Sequence, residues 1–355
     1  MIQDSAGEIS HNPEFQALQQ YSADVGSNSS LVQGAGGNTS IKINGVMWIK
    51  ASGTWLMNAR EAHQFVPVEI DPLLQAVSDN DPRAEKSIDF VVQSLNPSGL
   101  RPSIETTVHA LLPHKVVVHV HCVKTISLAV QAQGEQHLND LLTDFAWSWI
   151  PYVRPGLTLA NCIQQHMKAG SNVLVLGNHG LVVAADTVDA ASLLLDDIIN
   201  ALSVAPRTAP QPDHDKLKHC MTDSQYRLPI HSQAHAVACD ETALSIAAGG
   251  SLYPDHVIFI GAGSTIAQDN ETASEVSKRY VKNGLKEPVC ILFPGSGVLI
   301  RDDANPGQEA MAACLADVCL HIKPDAEINY FTDRQNDELL NWEAETYRQK
   351  LDSQR

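Results

Sequence analysis

Apolar residues recur with a helical spacing between residues 13 and 25, behind Asn12, which can cap the first turn, so a helix is predicted over 13–25. The pattern then changes to alternation. Two strands are predicted at 39–43 and 46–50, joined by Asn44-Gly45, the strongest short hairpin signal a sequence offers. A helical spacing returns over 103–112, and the β-branched run 116–121 reads as a buried strand. Residues 173–176 and 181–184 form another strand pair around a turn at 177–180, followed by a helix over 187–204. The stretch 205–227 loses periodicity and holds Pro206, Pro210 and Pro212, the composition of a linker. Beyond it the pattern predicts helices at 241–248 and 306–321, strands at 256–260, 289–293 and 298–301, and a charged amphipathic helix over 338–354. The expected organisation is a first domain over 1–205, a linker over 206–227 and a smaller C-terminal α/β domain over 228–355.

Charge narrows the partners. With 24 basic and 41 acidic residues the formal net charge is −17, which argues against a nucleic-acid partner. A small phosphorylated ligand remains compatible, because local dipoles and a metal can hold it against the global field. No apolar run approaches a bilayer span, and the first ten residues lack a basic start and an apolar stretch, so no membrane association is expected. Seven scattered cysteines without CxxC spacing read as reduced thiols, so a cytoplasmic protein is expected.

The chemistry concentrates in a few residues. His119 and His121 flank one residue on a predicted strand and therefore project to one face, where two imidazoles can take neighbouring positions on one metal ion. Against this stands an accident of a chain with 15 histidines. His179, topping the turn Gly177-Asn178-His179-Gly180, is a candidate third ligand or a solvated turn residue. Glu105 precedes the pair by fourteen residues and is either an acid/base beside the metal or a first-turn carboxylate complementing a helix dipole. The run Gly34-Ala35-Gly36-Gly37-Asn38-Thr39-Ser40 and the later Ser52-Gly53-Thr54 can bring backbone N–H groups to an anion, or are ordinary hairpin turns. Gly261-Ala262-Gly263 and Gly295-Ser296-Gly297 do not complete a dinucleotide fingerprint, since Ile266 and Ile300 stand where the third glycine belongs.

The segments GGNTS, ASGTW, PSIETTVHALLPH, VVHVHC and GNHG, in this order, resemble the class II aldolase/adducin family. The sequence is most similar to the aldolase half of bifunctional rhamnulose-1-phosphate aldolase/alcohol dehydrogenases, without their dehydrogenase half. That likeness continues through YPDHVIF, PVCILFPGSGVLI and NWEAETYRQKL. It implies an α/β fold with a largely antiparallel central sheet flanked by helices, and a homo-oligomer, a tetramer in first place. It implies Zn2+ or another divalent metal on His119, His121 and His179, with Glu105 as acid/base. Gly37, Asn38, Ser52, Gly53 and Ser103 would line a phosphate site for a small-molecule sugar or sugar-phosphate substrate. The implied reaction is retro-aldol cleavage of a ketose 1-phosphate to a dihydroxyacetone-phosphate-like fragment and an aldehyde. Epimerases, dehydratases and decarboxylases of the same fold, and a non-catalytic adducin-like module, are the alternatives. Two departures are visible. Fuculose-phosphate aldolases carry two serines before the catalytic Glu, whereas Ser103 is followed by Ile104, and no tyrosine lies within 138–145, Tyr152 being the nearest.

Overall fold

The computed structural model describes residues 9–61, 63–202 and 204–342. The chain divides into two compact units, one of Met1–Thr125 with Glu135–Leu202, the other of Ile126–Gly134 with Ser203–Arg355.

The first unit is built on a seven-stranded sheet. Its strands are β1 (Asn38–Ile43), β2 (Val46–Lys50), β3 (Phe65–Glu69), β4 (Val116–Val120), β5 (Trp147–Ile150), β6 (Val173–Leu176) and β7 (Gly180–Ala185). They stand in the order β3-β2-β1-β4-β7-β6-β5. All neighbours are antiparallel except β5 and β6. The hairpin between β1 and β2 forms as expected: Asn44 and Gly45 both take positive φ (52° and 79°), the backbone of a primed two-residue turn. The central strands are buried on both faces, which explains why β4 reads VVVHV without alternation. Helix Pro13–Gly26 starts where Asn12 accepts from the amides of Glu14 and Phe15. It reaches β1 through a 2.7 Å hydrogen bond between Ser22 Oγ and Thr39 Oγ1. Strand β3, helix Ile70–Ser78, strand β5 and helix Leu157–His166 add elements that periodicity alone does not announce.

The second unit holds a small antiparallel sheet of β8 (Tyr226–Arg227), β9 (Cys290–Phe293) and β10 (Gly297–Arg301), ordered β8-β10-β9. Within 206–227 the chain forms helix His214–Cys220 as well as β8. Its start is tied down by Arg207, whose amide donates to Leu320 and whose guanidinium pairs with Asp240 at 2.7 Å. The segment Ile126–Gly134 joins this unit through hydrogen bonds of Ala132 and Val130 with Glu327 and Asn329. One expectation is corrected. Residues 256–260 form not a strand but a π-helix, His256–Ile260, all of whose residues are buried. A short run that is apolar on every side carries no period, so helix and strand read alike. Helix Asp333–Leu340 covers the start of the expected 338–354 helix, whose remainder from residue 343 lies outside the described residues. Among the described residues no helix is long and apolar enough to cross a membrane.

Candidate metal centre

Strand β4 delivers the first two histidines. His119 stands opposite Asn38 of β1 and Val182 of β7, and His121 follows one step beyond the strand end. Period two puts both imidazoles on one face, where their Nε2 atoms lie 3.1 Å apart. His179 arrives from the β6–β7 turn, in which Asn178 takes φ 50° and the His179 amide donates to Leu176. Gly180 makes this approach possible. A Cβ there would come within 2.5 Å of the Val120 carbonyl and 3.2 Å of His119 Cε1.

The three rings meet edge to face, with centroids 4.9, 5.0 and 5.2 Å apart, and all three are buried. One nitrogen from each lies within 4.8 Å of the others. The Nδ1 of His119 faces the Leu181 carbonyl at 3.1 Å. A carbonyl only accepts, so Nδ1 carries a proton and Nε2 is the nitrogen that faces the cluster. Zinc–nitrogen bonds of about 2.0–2.1 Å in a tetrahedron put ligand nitrogens about 3.4 Å apart. A separation of 3.1 Å between two of the nitrogens and a limit of 4.8 Å for all three are compatible with that spacing, so the three imidazoles could hold a small divalent cation.

Glu105 completes the cluster. Its Oε2 lies 3.3 Å from His119 Nε2 and accepts from Asn38 Nδ2 at 2.8 Å, while Oε1 lies 3.5 Å from His179 Nε2. Oε1 is buried and makes no hydrogen bond. Burial, the largest single effect, pushes this carboxyl up. His119, His179, the Asn38 hydrogen bond and His121 together outweigh it and hold the group at about 2. An ionised carboxylate beside three imidazoles adds the negative charge that a buried cation needs.

The turn that ends at Gly37 lies against the strand that carries His119. Gly37 takes φ +61°, and a Cβ on it would stand 2.9 Å from the His119 carbonyl, so only glycine lets this turn lie against β4. Ser52 and Ser103 lie diagonally across the antiparallel bridge between Ala51 and Pro102, where the Ser52 amide donates to Arg101 and the Ser103 amide donates to Lys50. Ser103 Oγ accepts from the Glu105 amide at 3.2 Å, and Gly53 takes φ +74°. Asn38, expected on a phosphate, here holds Glu105 through its amide nitrogen. Sequence reasoning missed Lys50 and His109. The Lys50 ammonium is buried and donates to the carbonyls of Ala35 (3.1 Å) and Gly37 (2.9 Å). His109 Nδ1 meets Ser40 Oγ at 2.7 Å. The available signal was the polar alternation Asn38, Ser40, Lys42 on a strand whose neighbours are apolar.

Three buried histidines and a carboxylate thus gather at the end of the central strands of the large sheet, a group that could hold a metal ion. The sequence profile of the Class II Aldolase and Adducin N-terminal domain matches residues 16–205, and the chain belongs to this family. A Bacillus subtilis (strain 168) protein described as the uncharacterized oxidoreductase YuxG is 30% identical over 225 residues, 56% of this chain. The match covers 32% of that protein, so the chain spans about a third of this relative's length. Among solved structures, the N-terminal class II aldolase domain of a conserved Thermoplasma acidophilum protein is 28% identical. It has a TM-score of 0.47 and covers 54% of this chain and 92% of its own. The L-fuculose-1-phosphate aldolase of Thermus thermophilus is 16% identical with a TM-score of 0.33, covering 52% of this chain and 89% of its own.

Proposed function

We propose that this chain is a divalent-metal-dependent aldehyde-lyase, a class II aldolase that cleaves a ketose 1-phosphate or related sugar into a dihydroxyacetone-phosphate-like fragment and an aldehyde. The observation that supports it most is the convergence of His119, His121 and His179 with Glu105 at 3.3 and 3.5 Å from two of their nitrogens. The three imidazoles would hold the ion, Zn2+ in first place, which when bound supplies Lewis-acid stabilisation of the charge that develops at a ketose carbonyl as the neighbouring bond breaks. Glu105 moves a proton on and off the carbon beside that carbonyl, and Asn38 holds its carboxylate in place. Gly37, Asn38, Ser52, Gly53 and Ser103 receive the substrate's anionic end, with Ile104 supplying no side-chain donor there. The metal-binding domain is assigned to 1–205 and the C-terminal α/β domain to 228–355, with 206–227 between them. We place the protein in the cytoplasm as a homo-oligomer, a tetramer in first place, without nucleic-acid or membrane partners.

Metal analysis of the purified protein, with His119→Ala and His121→Ala beside it, tests the centre. About one divalent ion per chain is expected, lost in both variants. A panel of ketose phosphates and free ketoses, read by release of a triose, tests the reaction. An epimerase would return an isomer and a decarboxylase would release carbon dioxide, so either product without triose overturns the aldolase assignment. A metal-free protein would favour the interaction module.

A further inference from the structure

Alternate residues of β1 project toward the sheet face that carries His119, because Asn38 stands opposite His119 and Ser40 opposite Val117. Each is tied to the segment that crosses this face. Asn38 donates to Glu105 at 2.8 Å, Ser40 Oγ meets His109 Nδ1 at 2.7 Å, and Lys42 Nζ donates to the Leu112 carbonyl. Residues two apart on a strand are separated by about 6.8 Å, and residues four apart on a helix by about 6 Å. The two periods therefore match from 38/105 to 40/109, one rung for each helical turn.

The helix so tied is only Thr106–Leu111, with Glu105 at its N-cap and no side-chain cap. A helix this short has little stability of its own, and its rotation depends on tertiary ties. A register change of one residue would swing Glu105 by about 100° away from the histidines. The Asn38 rung cannot prevent this alone, since it grips the very carboxylate that would swing. His109 is the middle rung. It is fully buried, as is Ser40, and its amide closes the first helical turn on the Glu105 carbonyl at 3.2 Å.

We propose that His109 is a positioning residue: through Ser40 it fixes the rotation of the Thr106–Leu111 helix and holds the Glu105 carboxylate between His119 and His179. This inference rests on the reading of Glu105 as the proton-transfer group. The test uses the full chain loaded with Co2+. His109→Leu removes the rung at similar volume, and His109→Asn returns a polar side-chain group to the position of Nδ1. The Leu variant is expected to bind Co2+ with unchanged stoichiometry but with altered visible absorption. Its kcat on the ketose phosphate identified by the panel should fall about 10- to 100-fold with KM little changed, the size of effect that misplacement by an ångström produces. The Asn variant should recover both readouts. Wild-type absorption and kcat in the Leu variant would overturn the proposal, as would an Asn variant as impaired as the Leu variant. Should the Leu variant fail to fold, Ser40→Ala breaks the same rung from the strand and carries the same expectation. Glu105→Gln separates the two readings. If it retains wild-type kcat, the role of Glu105 fails; if it is impaired while His109→Leu is not, only the positioning role fails.

Discussion

Glu105 and Gly180 show how single residues set this centre. The carboxylate is buried yet ionised, because three imidazoles and one amide outweigh its desolvation. Glu105→Gln keeps the shape and an acceptor for Asn38 but removes proton transfer. Turnover is expected to fall by about 10²–10⁴-fold with the metal retained, as measured by steady-state kinetics beside metal analysis. Undiminished turnover would make Glu105 structural. Gly180 acts by what it lacks. The site an alanine Cβ would occupy lies 2.5 Å from backbone that belongs to β4, and backbone cannot rotate away as a side-chain tip can. Gly180→Ala should therefore push β7 from β4 beside His119 and destabilise the chain by about 1–3 kcal/mol. Metal affinity should fall as well. Denaturant unfolding and a chelator competition check the two effects, and an alanine variant with wild-type affinity would show that the contact can relax.

Among the elements, those with a local code were legible in the sequence. The β1–β2 hairpin follows from Asn44-Gly45, and the strand face shared by His119 and His121 follows from period two. The HVIFI run was not legible, because a segment buried on every side has no polar phase to mark its period, and the structure winds it as a π-helix. Lys50 was overlooked for a related reason. At the end of a predicted strand a lysine reads as solvated, and only tertiary structure turns it inward. There its ammonium holds the carbonyls of Ala35 and Gly37 while its own carbonyl accepts from Ser103, so one residue joins three segments around the site. Lys50→Met keeps the stem and removes the donor, leaving buried carbonyls that lose a partner. A loss of about 1–3 kcal/mol is expected in denaturant unfolding. Stability equal to the wild type would mean that the turn at 34–37 is held by its other contacts alone.

Across the whole molecule, buried neutral histidines predict how the protein responds to acid. Burial pushes His109 in the first unit down to about 3. In the second it takes His256 down to about 4, against a smaller upward pull from its bond to Gly263. Both rings stay neutral when folded, whereas the unfolded chain protonates them near the ordinary 6.5. Between these values the unfolded state binds more protons, so stability rises with pH there. This contribution is complete above about pH 6.5 and is lost as the pH falls toward the folded values. His256 allows a clean test, since each ring nitrogen has one backbone partner: Nδ1 accepts from Leu252, and Nε2 faces the Gly263 carbonyl at 3.1 Å. Glutamine offers an acceptor and a donor without titrating. His256→Gln should therefore reduce the loss of second-unit stability between pH 7 and 4.5, by about 2 kcal/mol for a shift of this size. Denaturant unfolding at a series of pH values, followed by a probe in the second unit, gives the two slopes. Equal slopes for wild type and variant would show that other groups govern the acid response of this unit.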